Sequence, residues 1–287
     1  MALRDIKQRI KSVKSTKQIT KAMNLVATSK LQRIKGRVIS ARPFLQEIRK
    51  VIANLVSQSE KLSNVYVGSR PVENTLVIVI SGDRGLCGAY NANVLKESFK
   101  HISARKNVKL VVLGAKAVKF FTDGEHEIIR YVTGISDKPF YGDAAEIGAL
   151  ARGMFESGEV DEVLVTYTRF ESMLSYAPIT ETVLPIDVTQ FELEDEQEKE
   201  HYDIMEFEPK AEVILEQLLP KYVNVVLFDA MLESAACELA ARSASMDSAT
   251  KNAEERIEEM SLAYNRARQS VITKEIIEVV AGANALQ

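Results

Sequence analysis

Apolar residues recur at alternating three- and four-residue steps through both ends of the chain. Toward the C-terminus, Val225, Leu232, Leu239, Met246, Ala253, Met260 and Ala267 hold one heptad position, and Ala236, Ser243, Thr250, Ile257, Tyr264 and Val271 hold the other. Toward the N-terminus, Leu3, Ile10, Leu31, Val38, Leu45 and Ile52 share one position, and Ile6, Val13, Ala27, Ile34, Ala41, Ile48 and Leu55 share the second. A 3-4 spacing sustained over several heptads is the signature of a coiled-coil seam. Residues 159–281 contain no glycine and residues 221–287 no proline, so the strongest helix breakers are missing there. One rod over 211–281 is predicted, roughly 100 Å long at about 1.5 Å per residue.

The N-terminal pattern predicts a second long helix from residue 3 to about 57. Only Gly36 and Pro43 interrupt it. Proline removes a backbone donor and clashes with the preceding turn, so a kink or break is expected near Arg42–Pro43. The seam turns polar at Lys17, Thr20 and Asn24, where Ile19, Met23 and Val26 form a different apolar stripe. The helix is therefore expected to shift its face in the middle, as if a second contact lay outside the pair. Two helices from opposite chain ends, joined through one inserted domain, must pair antiparallel.

Between them the pattern changes. After a linker at Ser63–Pro71, the run at 75–81 (TLVIVIS) is almost continuously apolar, as buried parallel strands are. The runs at 108–114 (VKLVVLG) and 161–170 (DEVLVTYTRF) repeat it. Helical segments separate them at Asn91–Ala104, Ala115–Thr122 and Asp143–Glu156, and Ile179–Leu193 reads as further strand. Alternating strands and helices predict a Rossmann-like α/β domain with a mostly parallel sheet. The expected organisation is an N-terminal coiled-coil helix (1–62), an α/β domain (73–208) and a C-terminal coiled-coil helix (209–287), with no internal repeat.

Charge sharpens this division. Residues 1–50 hold 14 Lys/Arg against 2 Asp/Glu, a net of +12, so the remainder carries −15 of the total −3. A basic arm implies an acidic partner or a solvated helix face. Glu192–Glu208 holds nine carboxylates against Lys199 and reads as a solvated connector. No apolar run is long enough to span a membrane. The first residues, MALRDIKQRI, carry charge where a signal peptide needs its apolar segment. Two cysteines, Cys87 and Cys237, give neither a metal-ligand spacing nor a disulfide framework, which fits a reducing, cytosolic compartment.

Candidate chemistry is sparse. SGDRGLCGAYN (81–91) follows a strand and precedes a helix, where phosphate loops sit. Its glycines, Gly82, Gly85 and Gly88, match neither nucleotide-binding spacing, no lysine follows, and no acidic residue closes the next strand. A tight turn against its own sheet, or a protein contact, is the competing reading. Cys87 lies near Arg84, but His101, His126 and His201 are scattered, so no base is placed to activate it. Asp83 and Asp143 have no paired carboxylate at motif spacing. No catalytic, metal or cofactor site is expected. Ala235, Ala236, Ala240, Ala241, Ala244, Ala249 and Ala253 keep the terminal helix thin around Arg242, for a narrow slot or for close helix packing. Ile272, Ile276, Ile277, Val279 and Val280 leave its end apolar on most faces, which requires a cover.

Three segments carry a resemblance. ITKEIIEVVAGANA (272–285), with Thr273, Glu275, Glu278 and Gly282–Ala283, IKSVKSTKQITKAMNLVATSKL (10–31) and DRGLCGAYN (83–91) are similar to the gamma subunits of F-type ATP synthases. The likeness covers the whole length, with small departures at Gly82 and Ala89–Tyr90. It implies a central rotor stalk: an antiparallel coiled coil inside a ring of three alpha and three beta subunits, with the Ala285/Leu286 tip in an apolar sleeve. It implies further that the α/β domain sits at the base with the epsilon subunit and the membrane c-ring. Proton-driven c-ring rotation is then coupled to ATP synthesis or hydrolysis at the beta subunits, and this chain is non-catalytic.

By motif match, Met23, Arg242, Gln269, Thr273, Glu275 and Glu278 fall at rotor-coupling positions, with Lys21, Lys30 and Arg33 as weaker charged contacts. Asp83–Asn91 and Glu192–Glu208 are assigned to the base. The absence of a cysteine-bearing insertion and of a transit peptide implies a bacterial type, peripheral on the cytoplasmic face of the plasma membrane. Two rivals stand beside this reading. One is a nucleotide-binding Rossmann-type enzyme using Gly82–Gly88. The other is a coiled-coil nucleic-acid binder, disfavoured because residues 1–43 carry no aromatic for base stacking.

Overall fold

The computed structural model describes residues 3–57, 64–68, 70–124, 126–136, 138–173, 175–191, 208 and 210–285. The acidic connector at 192–207 and the Leu286 tip lie outside the described residues. Element order is α1 (Leu3–Ser57), β1 (Asn74–Ile80), α2 (Tyr90–Ser103), β2 (Asn107–Leu113), α3 (Ala115–Thr122), β3 (Glu127–Val132), α4 (Tyr141–Glu156), β4 (Glu162–Phe170), β5 (Tyr176–Leu184), a short 3-10 turn (Val188–Phe191) and α5 (Ala211–Ala285). Contacts group the chain into two compact units: Met1–Thr28 with Arg242–Gln287, and Ser29–Ala241.

In the first unit the two helices pair antiparallel. Lys17 meets Glu254 at 2.8 Å, Thr20 meets Thr250 at 2.8 Å, and Thr28 meets Ser243 at 3.0 Å, so one number rises as the other falls. The expected shift of face does not occur. Lys17, Thr20 and Asn24 stay on the seam, because Thr250, Ser243 and Glu254 supply matching polar partners there. Half-buried hydroxyls and amides are tolerated at a seam when each finds a partner. Of the alternative stripe, Ile19 and Val26 face outward, each 57% exposed beside exposed Leu25, while Met23 is half-buried.

In the second unit a five-stranded sheet has the order β3-β2-β1-β4-β5. β1 lies at its centre, with Ile78 opposite Val111 of β2 and Val165 of β4, both parallel. Among the described strands only β5 runs antiparallel. Strand β3 was not visible as an apolar run, because its edge position leaves Glu127, Arg130 and Tyr131 exposed. β5 starts earlier than expected and ends at Leu184, where Pro185 cannot continue the ladder. One face of β1, carrying Val77 and Val79, packs with Val94 and Ile102 of α2 and Phe121 of α3. The other, carrying Leu76, Ile78 and Ile80, packs with α4, with Ile52 and Leu55 of α1, and with Leu219, Val223 and Leu227 of α5.

One expectation about punctuation changes. α1 runs unbroken through Pro43. The proline and Ile39, whose carbonyl loses its partner, both lie on the exposed side, where water can replace the missing donor. The linker before β1 is anchored. Tyr66 is buried, its phenol donates to Glu156, and its carbonyl accepts the Ile186 N–H at 2.6 Å. Arg70 lies over the Phe155 ring at 4.3 Å and pairs with Asp161 at 3.0 Å.

Candidate functional site

The loop between β1 and α2 is held by the chain's own carboxylates. Asp83 Oδ1 accepts the N–H groups of Ala115 (3.0 Å) and Gly134 (2.9 Å), and Oδ2 accepts the Ser136 hydroxyl (2.8 Å) and N–H (3.2 Å). Burial alone would push Asp83 up, but the bonds from Gly134, Ser136 and Ala115 outweigh it and hold the carboxyl below the usual range. Ala115 opens α3, so Asp83 occupies the kind of helix N-terminus that an anion would seek. On the other side, a Cβ on Gly82 would lie 2.8 Å from the Glu238 carboxylate, and Glu238 is buried. The loop is thus a turn clamped between α3 and α5. Asn91 closes it by accepting the Gly82 N–H at 2.9 Å and donating to the Arg84 carbonyl at 3.1 Å.

Cys87 and Cys237 are both buried. Burial pushes the Cys237 thiol well up, so it is a poor nucleophile, and its sulfur donates to the Thr168 carbonyl. The alanine tract has a packing role. Ala235, Ala236, Ala240 and Ala241 are buried against Leu31, Ile34 and Val38 of α1 and against Cys87, Tyr90 and Phe170. Leu86, next to Cys87 in the chain, is 62% exposed at a positive φ of 63°.

The sequence-predicted coupling residues occupy separate places. Met23 is half-buried and Lys21 exposed on α1. Arg242 is buried on α5, beside Ser243, whose hydroxyl reaches Asn24 at 2.7 Å; Met23 and Arg242 therefore sit within about two helical turns of one another. Lys30 (half-buried) and Arg33 (exposed) continue along α1 in the second unit. Gln269, Thr273, Glu275 and Glu278 are all exposed and lie well away along α5, the first about 40 Å from Arg242 by helical rise. Beyond the seam residue Ala267, every residue of α5 that has a described side chain is exposed up to Asn284. The antiparallel register carries Leu3 of α1 to about residue 268. The last 17 or so residues of the α5 helix extend past it by roughly 26 Å.

A match to the family described as ATP synthase spans residues 2–286. The gamma chain of Heliobacterium modesticaldum ATP synthase is 42% identical over 286 residues, 99% of each chain. That of Desulfitobacterium hafniense is 41% identical, again over 99% of each. The chain belongs to the ATP synthase gamma chain family. Its fold is shared with the rotor of the Euglena gracilis mitochondrial ATP synthase (TM-score 0.66, 17% identity, 94% of this chain and 98% of that one). It is shared also with the central stalk/c-ring structure from Tetrahymena thermophila (TM-score 0.61, 23% identity, 80% and 99%). As a gamma chain it is one subunit of an ATP synthase. Among the described residues no helix is long and apolar enough to cross a membrane.

Sequence reasoning missed two groupings. Arg42, Glu233 and Phe170 form a polar junction, and Asp229 lies among Phe44, Tyr141 and Phe228. Neither has a spacing signal, because each joins α1 to α5 across more than 180 residues and brings in α4 or β4 as well.

Proposed function

We propose that this chain is the rotating, non-catalytic stalk of a proton-driven ATP synthase. It turns inside a ring of three alpha and three beta subunits, and c-ring rotation reaches the beta subunits through it. The observation that carries this reading is the end of α5. Ile272, Ile276, Ile277, Val279 and Val280 are 45–71% exposed on a helix that has outrun its partner. Such a surface needs an apolar sleeve. The outward Ile19, Leu25 and Val26, next to exposed Lys21, supply a second contact face on the arm. Acidic beta loops fit the +12 charge of residues 1–50, which would set orientation and register more than affinity. In this reading Met23 and Arg242 transmit force at the arm. Gln269, Thr273, Glu275 and Glu278 do so near the tip, and Lys21, Lys30 and Arg33 add charged contacts.

The α/β domain would meet the epsilon subunit and the c-ring, placing the chain peripherally at the cytoplasmic face of a bacterial plasma membrane. Two carboxylates, Asp83 and Glu238, already occupy the approaches to the glycine loop. That disfavours direct nucleotide binding, since an incoming phosphate would meet negative charge. Native mass spectrometry of the chain mixed with its host's alpha and beta subunits tests the reading. One copy per three alpha and three beta, with ATPase activity restored, is expected. A chain that stays alone or joins in another ratio overturns it.

A further inference from the structure

A groove of about 700 Å³ opens on the second unit between α1, the start of α4 and α5. Its walls are mainly apolar, and three aromatic rings reach it: Phe44 from α1, Tyr141 from α4 and Phe228 from α5. Tyr141 and Phe228 stand nearly perpendicular, at 81°, with centroids 5.7 Å apart, while Phe44 and Tyr141 are 58% and 42% exposed. Asp229 also lines the groove. Its Oδ1 is buried without a hydrogen-bond partner among the described residues. Ring faces carry negative potential and attract cations, most strongly when several rings surround the site. One cation already uses this property, as the Arg37 guanidinium carbon lies 5.7 Å from the Phe228 centroid while its Nη2 donates to the Pro139 carbonyl.

We propose that this groove is a binding site for a small organic ammonium with an apolar body. Its cation lies among the Phe44, Tyr141 and Phe228 rings against the Asp229 carboxylate. Concave, largely apolar sites with one or two convergent polar groups are the usual form of small-molecule sites. Carboxylate plus aromatic rings selects positive charge over a neutral body of equal shape. Arg33 and Arg37, both exposed, also line the groove and repel a second positive charge, so a monocation is selected over a dication.

Asp229 also gives the site a pH dependence. Burial, then Glu233, pushes its carboxyl up to about 6, against Arg42 and Arg49 from α1, with Glu181 of β5 adding to the rise. The ionised form that attracts an ammonium is therefore lost in mild acid.

The probe is benzyltrimethylammonium, titrated into the full-length chain and followed by ligand-observed NMR, with benzyl alcohol as the uncharged comparison. Saturable binding of the ammonium is expected at pH 7.5, at least tenfold tighter than the alcohol and weakening below pH 6. Asp229→Asn should weaken it about tenfold. Phe44→Ala, which removes an exposed ring and leaves the core intact, should weaken it severalfold. Equal binding of alcohol and ammonium would mean an unselective apolar groove and overturn the proposal. Ammonium binding unchanged in both variants would place the probe elsewhere and also overturn it, as would the absence of saturable binding.

Discussion

Glu233 on α5 uses both carboxylate oxygens: Oε1 lies 3.0 Å from Arg42 Nη2 of α1, and Oε2 accepts the Phe170 N–H of β4 at 3.2 Å. Arg42 completes the junction by donating to the Phe170 carbonyl. Both long helices are thereby tied to one strand end. Glu233 is buried, whereas the Arg42 side chain is 43% exposed. Glu233→Ala strands a backbone N–H and a cation together and should cost about 2–4 kcal/mol. Arg42→Ala should cost less, about 1–2 kcal/mol, because water can reach Glu233 from the exposed side. Urea denaturation measures both; a loss below about 0.5 kcal/mol in each would show that the junction adds nothing.

Asp229 predicts an inverted pH response. Its folded-state carboxyl, pushed up to about 6 chiefly by burial, binds its proton more tightly than an unfolded aspartate titrating near 3.9. Stability from this group is full below about pH 4 and is lost as pH rises toward 6, by up to roughly 3 kcal/mol. Asp229→Asn removes the charge at every pH. It should stabilise the chain at pH 7.5 and flatten the slope between pH 4 and 6.5. Denaturation midpoints across that range decide it: an unchanged slope in the variant assigns the response to another group.

Gly114 shows where backbone geometry leaves no choice. Its φ is +95°, and a Cβ there would lie 2.3 Å from the Ser81 carbonyl oxygen. Gly134 has a similar φ of +83° with nothing within 4 Å. Gly134→Ala should cost about 1–2 kcal/mol, the strain of the left-handed region alone. Gly114→Ala adds a backbone clash and should exceed that by at least about 2 kcal/mol or abolish folding. Thermal melts of the two variants separate the effects, and equal losses would argue that the β1 end simply yields.

The parts of this fold that were legible in sequence are those built on periodicity. The heptads of 3–57 and 211–267 and the runs at 75–81 and 108–114 describe what each element buries, so they predict the helices and central strands. Edge strand β3 escaped, because half of Glu127–Val132 faces water and carries no such constraint. Polar seam residues misled for a related reason. Asn24 and Thr20 read as the wrong face until Ser243 and Thr250, more than 200 residues away, are seen to pair with them. Of the candidate site, the apolar end at Ile272–Val280 was plain. Asp229, by contrast, becomes unusual only through what folding places around it.

Met23 sits half-buried on the arm beside exposed Lys21, in a segment already rich in positive charge. Under the stalk reading, Met23→Lys adds a cation at the face that meets acidic beta loops. The helix should persist, since lysine is a good helix former and the position is not fully buried. Coupling is expected to fall: fewer protons pumped per ATP hydrolysed in membrane vesicles, with the circular dichroism melt of the isolated chain within about 2 °C of the parent. An unchanged pumping ratio would remove Met23 from the coupling face.

The end of α5 gives the most direct test of what the exposed aliphatics are for. No residue of α1 reaches beyond about position 268, so Ile276, Ile277 and Val279 contribute little to the fold of the isolated chain. Ile276→Gln combined with Ile277→Gln should therefore leave the urea midpoint unchanged, because no burial is lost. It should also reduce self-association of the isolated chain, measured by sedimentation, because an exposed apolar patch is removed. If the sleeve is real, the same pair should weaken incorporation into the alpha–beta ring about tenfold or more, consistent with about 1.4 kcal/mol per factor of ten in affinity. Normal incorporation, with self-association still reduced, would mean that the tip is covered by nothing in the assembly and that the arm alone holds the stalk.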